Sequence, residues 1–143
     1  MKSLVAIILS VTIGTFTSEA TAGGWGYFAE DNELLYGTWV NSSYGVSIPQ
    51  KIIYQPTGIF ECFRIADSEK CDKKGRYLIT GKWLDPEGNI IYRSHWVGNW
   101  NEEAYQLSKI SNSGKTIEIV LGYLKPPTKV DSSNIWYRKY TRK

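Results

Sequence analysis

Hydrophobic and polar residues alternate in short bursts along this chain, and no long stretch carries them at helical spacing. Residues two apart on a strand share a face. In RYLITGKW this sets Tyr77, Ile79, Gly81 and Trp83 opposite Arg76, Leu78, Thr80 and Lys82. In TIEIVL it sets Ile117, Ile119 and Leu121 opposite Thr116, Glu118 and Val120. NIIYRSHWV divides into Ile90, Tyr92, Ser94 and Trp96 against Ile91, Arg93, His95 and Val97. Both of its faces mix apolar and polar groups, so alternation leaves open which one points inward.

About eight such segments follow one another from Gly37 onward: GTWVNS, QKIIYQ, GIFECFRI, GRYLITGKWL, NIIYRSHWVG, AYQLSKI, KTIEIVLGYL and NIWYRKYT. Turn chemistry separates them at QPTG, DPEGN and SNSGK, and KPPTKVDSSN forms a longer loop before the last segment. Short aromatic or β-branched runs punctuated in this way predict an all-β domain. Closing the sheet removes its edges, and eight strands enclose a space just wide enough for side chains or one small ligand. The expected architecture is therefore a roughly eight-stranded up-and-down antiparallel barrel, with a two-sheet sandwich as its rival. AEDNELLY predicts a short helical turn before the first strand, capped by Asp31 or Asn32.

Residues 1–22 have the form of a signal peptide: Lys2, then a short apolar run, then Ala20 and Ala22 at an A-x-A site. The run is shorter than the roughly 20 residues of a membrane span, so no stable span is expected once the signal is removed. Residues 23–34 read as a flexible N-terminal segment and residues 35–143 as the barrel domain. An exported protein, periplasmic or extracellular, is expected. Cys62 and Cys71 are the only cysteines, and export favours a disulfide between them, with two free buried thiols as the alternative.

Ten Tyr and six Trp supply enough apolar surface for a core and argue against disorder. The net charge of +3 is scattered without a basic stripe, which argues against nucleic acid as a partner. His95 is the sole histidine and has no nucleophile motif near it. No metal-ligand spacing and no glycine-rich phosphate loop occur. The expectation is a protein without catalytic residues, metal or cofactor. Tyr77, Ile79, Trp83, Tyr92, His95 and Trp96 are the candidate ligand-binding residues, His95 being on the opposite face from Tyr92 and Trp96. They suit a small, mostly apolar molecule. Gly81 and Ser94, if inward, favour an open cavity. The competing expectation is a filled barrel whose loops bind a protein partner, through residues 125–134 and the Cys62–Cys71 loop.

YGTWVNSS resembles the Gly-x-Trp opening of lipocalins and of small bacterial lipocalin-like proteins. YQLSKISNSGKTIEIVL and PTGIFECF are similar to later strands of the same proteins, and the likeness spans residues 35–139. SNSGKT stands where many lipocalins carry Thr-Asp-Tyr, which points to the looser calycin group. The resemblance implies an eight-stranded barrel closed at one end by Trp39, with Gly37 before it. It also implies a basic residue of the last strand packed across the indole, Arg138 first, with Arg142 and Lys139 as alternatives. A guanidinium stacked on an indole would tie the first strand to the last. No ligand or activity follows from the fold.

Overall fold

The computed structural model describes residues 28–45 and 47–143. The expected signal peptide, residues 1–22, and residues 23–27 of the expected flexible segment lie outside the described residues. Eight strands follow in chain order: β1 (Gly37–Val40), β2 (Lys51–Tyr54), β3 (Ile59–Phe63), β4 (Lys73–Leu84), β5 (Ile90–Gly98), β6 (Glu103–Ile110), β7 (Thr116–Gly122) and β8 (Tyr137–Arg142). Each pairs antiparallel with the next, and β8 returns to β1 through Trp39–Arg142 and Val40–Thr141. The result is a closed up-and-down barrel with no sheet edge left to protect.

The described residues contain no helix, and so none long and apolar enough to cross a membrane. Where AEDNELLY predicts a helical turn, the chain makes two tight turns instead, and Tyr36 N–H donates to the Glu33 carbonyl at 3.1 Å. Glu33 explains the difference. Its carboxylate turns inward beneath the barrel, where Lys82 Nζ (2.9 Å) and the Tyr92 hydroxyl (3.0 Å) donate to Oε1. The Glu30 N–H donates to Oε2 at 2.9 Å. A segment pulled across the floor by its own side chain has no room to wind.

Trp39 and Leu35 are fully buried and plug this closed end. The indole N–H of Trp39 donates to the Leu35 carbonyl at 3.0 Å. The guanidinium on the ring is that of Arg142, its Cζ 4.1 Å from the ring centroid, and not that of Arg138. Register gives the reason: β1 and β8 run antiparallel, and their ladder pairs Trp39 with Arg142, the last residue of β8. Arg138 lies four residues earlier, towards the open end. Arg142 also donates to the carbonyls of Leu34 (2.6 Å), Tyr36 (2.9 Å) and Gly114 (2.8 Å). Gly37 is required beside it. Its φ is +124°, and a Cβ there would stand 2.8 Å from Arg142 Nη1.

One irregularity redistributes side chains on β4. Ile79 pairs with Ser94, but Gly81 pairs with Arg93, so Thr80 is an extra residue in the ladder. Such a bulge puts the residues beyond it out of step with the alternation before it. Lys82 therefore turns into the barrel floor, and Trp83 turns out, with Arg93 Cζ 5.5 Å from its ring centroid. Gly81 pairs with Arg93 on the outer face and opens no interior space.

Candidate ligand-binding site

The floor just described fills the lower half of the barrel. The upper half is open. A cavity of about 350 Å³ lies between Ile52 and Tyr54 of β2, Phe60 and Cys62 of β3, Tyr77 of β4, Ser94 and Trp96 of β5, Gln106 of β6, Ile119 and Leu121 of β7, and Tyr140 of β8. Every one of these residues is on the inward face of its strand, so alternation within each strand builds the wall. Phe60, Trp96, Tyr123 and Trp136 meet edge-on in succession, with centroids 5.1, 6.4 and 5.0 Å apart. They form an aromatic path from the interior to the rim.

The polar groups in the wall are nearly all spoken for. Tyr54 donates to Gln106 Oε1 (3.1 Å), and Gln106 Nε2 donates to Ser108 Oγ (2.7 Å). Tyr77 donates to the Gln55 carbonyl (2.6 Å), and Tyr140 to that of Pro49 (2.8 Å). Burial pushes the hydroxyls of Tyr54, Tyr77 and Tyr140 above the usual phenol range, so all three are neutral at physiological pH. The Ser94 hydroxyl differs. The residue is 2 % exposed, and its Oγ has no hydrogen-bond partner among the described residues.

Three cations line the mouth: Arg64, Lys73 and Arg138. Arg64 pairs with Asp72 at 3.6 Å. Lys73 pairs with Glu102 at 3.0 Å and sits 4.9 Å from the Trp96 ring centroid. Arg138 has no carboxylate partner among the described residues. Its Nη1 donates to the carbonyls of Tyr137 (2.9 Å) and Ile135 (3.4 Å), and its Cζ is 5.9 Å from the Trp136 ring centroid.

Of the six residues expected to bind ligand, Tyr77 and Trp96 line the cavity. Ile79 and Tyr92 also face inward but belong to the packed half, Tyr92 through its bond to Glu33. Trp83 is turned outward by the bulge. His95 is outside as well, stacked on Tyr105 with centroids 5.1 Å apart and its Nε2 2.8 Å from Glu103 Oε1. Gln106, Tyr54 and Tyr140 escaped the sequence reading because their strands carry weaker patterns than β4 and β5. Among the described residues, no group of His, Cys, Asp and Glu could hold a metal ion.

The expected disulfide is absent: Cys62 and Cys71 are free thiols. The two side chains have different surroundings. Cys62 points into the cavity, whereas the Cys71 thiol donates to the Lys73 carbonyl at 3.0 Å. Burial pushes the Cys62 thiol up to about 12, an effect the nearby Lys73 only partly offsets. Only a thiolate reacts readily. Brief treatment of the native protein with a maleimide at pH 8 is expected to add one label, at Cys71. Cys62 is expected to label only after denaturation, with intact mass and peptide mapping as the readout.

No family model, curated protein or solved structure matches this chain.

Proposed function

We propose that this chain is an exported, non-catalytic, lipocalin-like binding protein that holds one small, mostly apolar molecule in its barrel. The observation that carries this reading is the cavity of about 350 Å³, closed below by Trp39 and Arg142 and open above. Its volume falls at the lower end of the roughly 300–1,000 Å³ typical of small-molecule pockets. Aromatic and aliphatic side chains dominate its wall, with a few fixed polar groups, which is the composition of a binding pocket. The inward tyrosines are neutral and hydrogen-bonded, which suits holding a ligand better than transforming it. Export rests on the form of residues 1–22.

A cavity of this size supports a binder over a filled scaffold. A protein partner draws support from a separate observation, the exposure of Trp100, Leu124 and Ile135 on loops at the open end. Native mass spectrometry of the protein from its own export compartment separates the two. The binder reading expects a chain beginning at Gly23 with a reproducible extra mass, released on unfolding. A bare chain that also fails to take up any apolar probe would overturn it, and recovery in a stoichiometric protein complex would replace it.

A further inference from the structure

The cavity presents two polar groups that the protein itself leaves unanswered, and they differ in kind. At the mouth, Arg64 and Lys73 are each neutralised by a carboxylate, while Arg138 is not. Only Nη1 of Arg138 is engaged, by main-chain carbonyls, so Nε and both hydrogens of Nη2 are without partners among the described residues. That edge of a guanidinium is the one that grips a carboxylate with two parallel hydrogen bonds. Deeper in, the Ser94 hydroxyl is almost completely buried and also unpartnered. A buried polar group is seldom left without a partner, and in a cavity wall the missing partner is naturally a ligand atom. Ser94 on β5 and Arg138 on β8 are three strands apart round the wall, at about 4.8 Å per step. Between them lie Gln106 on β6, its amide already engaged by Tyr54 and Ser108, and the apolar Ile119 and Leu121 on β7.

We propose that the ligand is an apolar monocarboxylate bearing a second oxygen at its far end, with the carboxylate on Arg138 and the second oxygen on Ser94. This rests on the reading of the barrel as a small-molecule binder and names the chemistry of that same site. One free cation at the mouth matches one negative charge. A phosphate monoester carries more charge than this mouth offers, because the other two cations are already paired. The neutral tyrosines and apolar wall accept the chain between the two ends. Trp96 and Trp136 flank the path, so occupancy is reported by their fluorescence.

The test titrates the purified full-length mature protein, stripped of bound molecules, with four probes: decan-1-ol, decanoic acid, 10-hydroxydecanoic acid and decyl phosphate. Decanoic acid is expected to bind about tenfold or more tighter than decanol, the usual advantage of a charge-assisted hydrogen bond. The hydroxy acid is expected to gain roughly threefold more, and decyl phosphate to bind no tighter than decanoic acid. Arg138→Gln should erase the preference for the acid, so that decanoic acid and decanol bind about equally, with circular dichroism showing that the variant is folded. Ser94→Ala should remove only the hydroxy acid's extra gain. Acid and alcohol binding equally to the wild type, or an acid preference that survives Arg138→Gln, overturns the carboxylate assignment. A hydroxy acid no tighter than decanoic acid overturns the assignment to Ser94, and tighter binding of decyl phosphate overturns the monoanion. If none of the four binds, the small-molecule reading itself fails, an outcome distinct from all the others.

Discussion

Replacing Arg142 by Ala is expected to lower stability by about 4 kcal/mol, while the same change at Arg138 costs less than about 1 kcal/mol. The difference lies in what each guanidinium holds. Arg142 satisfies three carbonyls, those of Leu34, Tyr36 and Gly114, and covers the face of a fully buried Trp39. Hydrogen bonds from a charged donor contribute about 1.5–3 kcal/mol each, and a desolvated cation–π contact about 2. These contributions overlap, and part of each is regained when water enters the opened floor, so their sum overstates the loss. Arg142 joins three separate places in the chain: the segment entering β1, the β6–β7 turn and the end of β8. Its loss therefore loosens barrel closure as a whole. Trp39→Ala should cost about 3–5 kcal/mol on its own account. The double variant should lose clearly less than the two single losses combined, because both remove the same contact. Arg142→Lys should fall between, keeping a charge over the ring but not the fork that reaches several carbonyls. Urea unfolding followed by circular dichroism measures all five variants. An Arg142→Ala loss below about 1 kcal/mol, or a strictly additive double variant, would remove this residue from barrel closure.

The choice between these two arginines shows where sequence reading stops. Both share the alternation of β8, and both could reach an indole. Which one does so depends on the register between β1 and β8, elements about a hundred residues apart, and no local pattern encodes it. The strands themselves were legible because each carries its own alternation and its own turn residues. The bulge was not. Thr80 looks like any strand threonine, yet as one extra residue it sends Trp83 to the surface and brings Lys82 to Glu33.

The ambiguity of β5 has a different origin. Its outward face is partly apolar because a second, smaller cluster lies on the outside of the barrel. Ile91, Leu107 and Val120 are 7 %, 4 % and 0 % exposed there, although they are outside the main core. Arg93 and Tyr137 are paired with Leu107 and Val120 in this outer row. An outer face that buries aliphatics looks like an inner one, so His95 among them could not be placed. The cavity was only half legible for a related reason. Tyr77 and Trp96 line it, but Ile79 and Tyr92, on the same faces, lie below it in the packed floor. Alternation reports which side of a sheet a residue occupies, not its height along the barrel.

Height is what makes Ser94 the most informative position for function. Ser94→Phe is expected to reduce ligand affinity at least a hundredfold while raising stability by about 1 kcal/mol. The substitution adds five heavy atoms, which at about 20 Å³ each in a close-packed interior occupy roughly 100 Å³. A cavity of about 350 Å³ is then left with roughly 250 Å³, below the common floor for small-molecule pockets. The phenyl ring would enter beside Trp96 and Gln106, the neighbours of Ser94 along and across the sheet, and remove a buried hydroxyl that has no partner among the described residues. Both changes favour the folded state. In an ordinary packed core the same enlargement would cost about 1–3 kcal/mol through strain, so the sign of the stability change distinguishes an open interior from a filled one. Thermal unfolding and decanoic acid titration of one purified variant read both quantities. A stabilised protein that no longer binds means the empty volume is kept for the ligand at the expense of stability. A destabilised protein would mean that the space around Ser94 is already filled, and with it the barrel would lose its claim to a ligand.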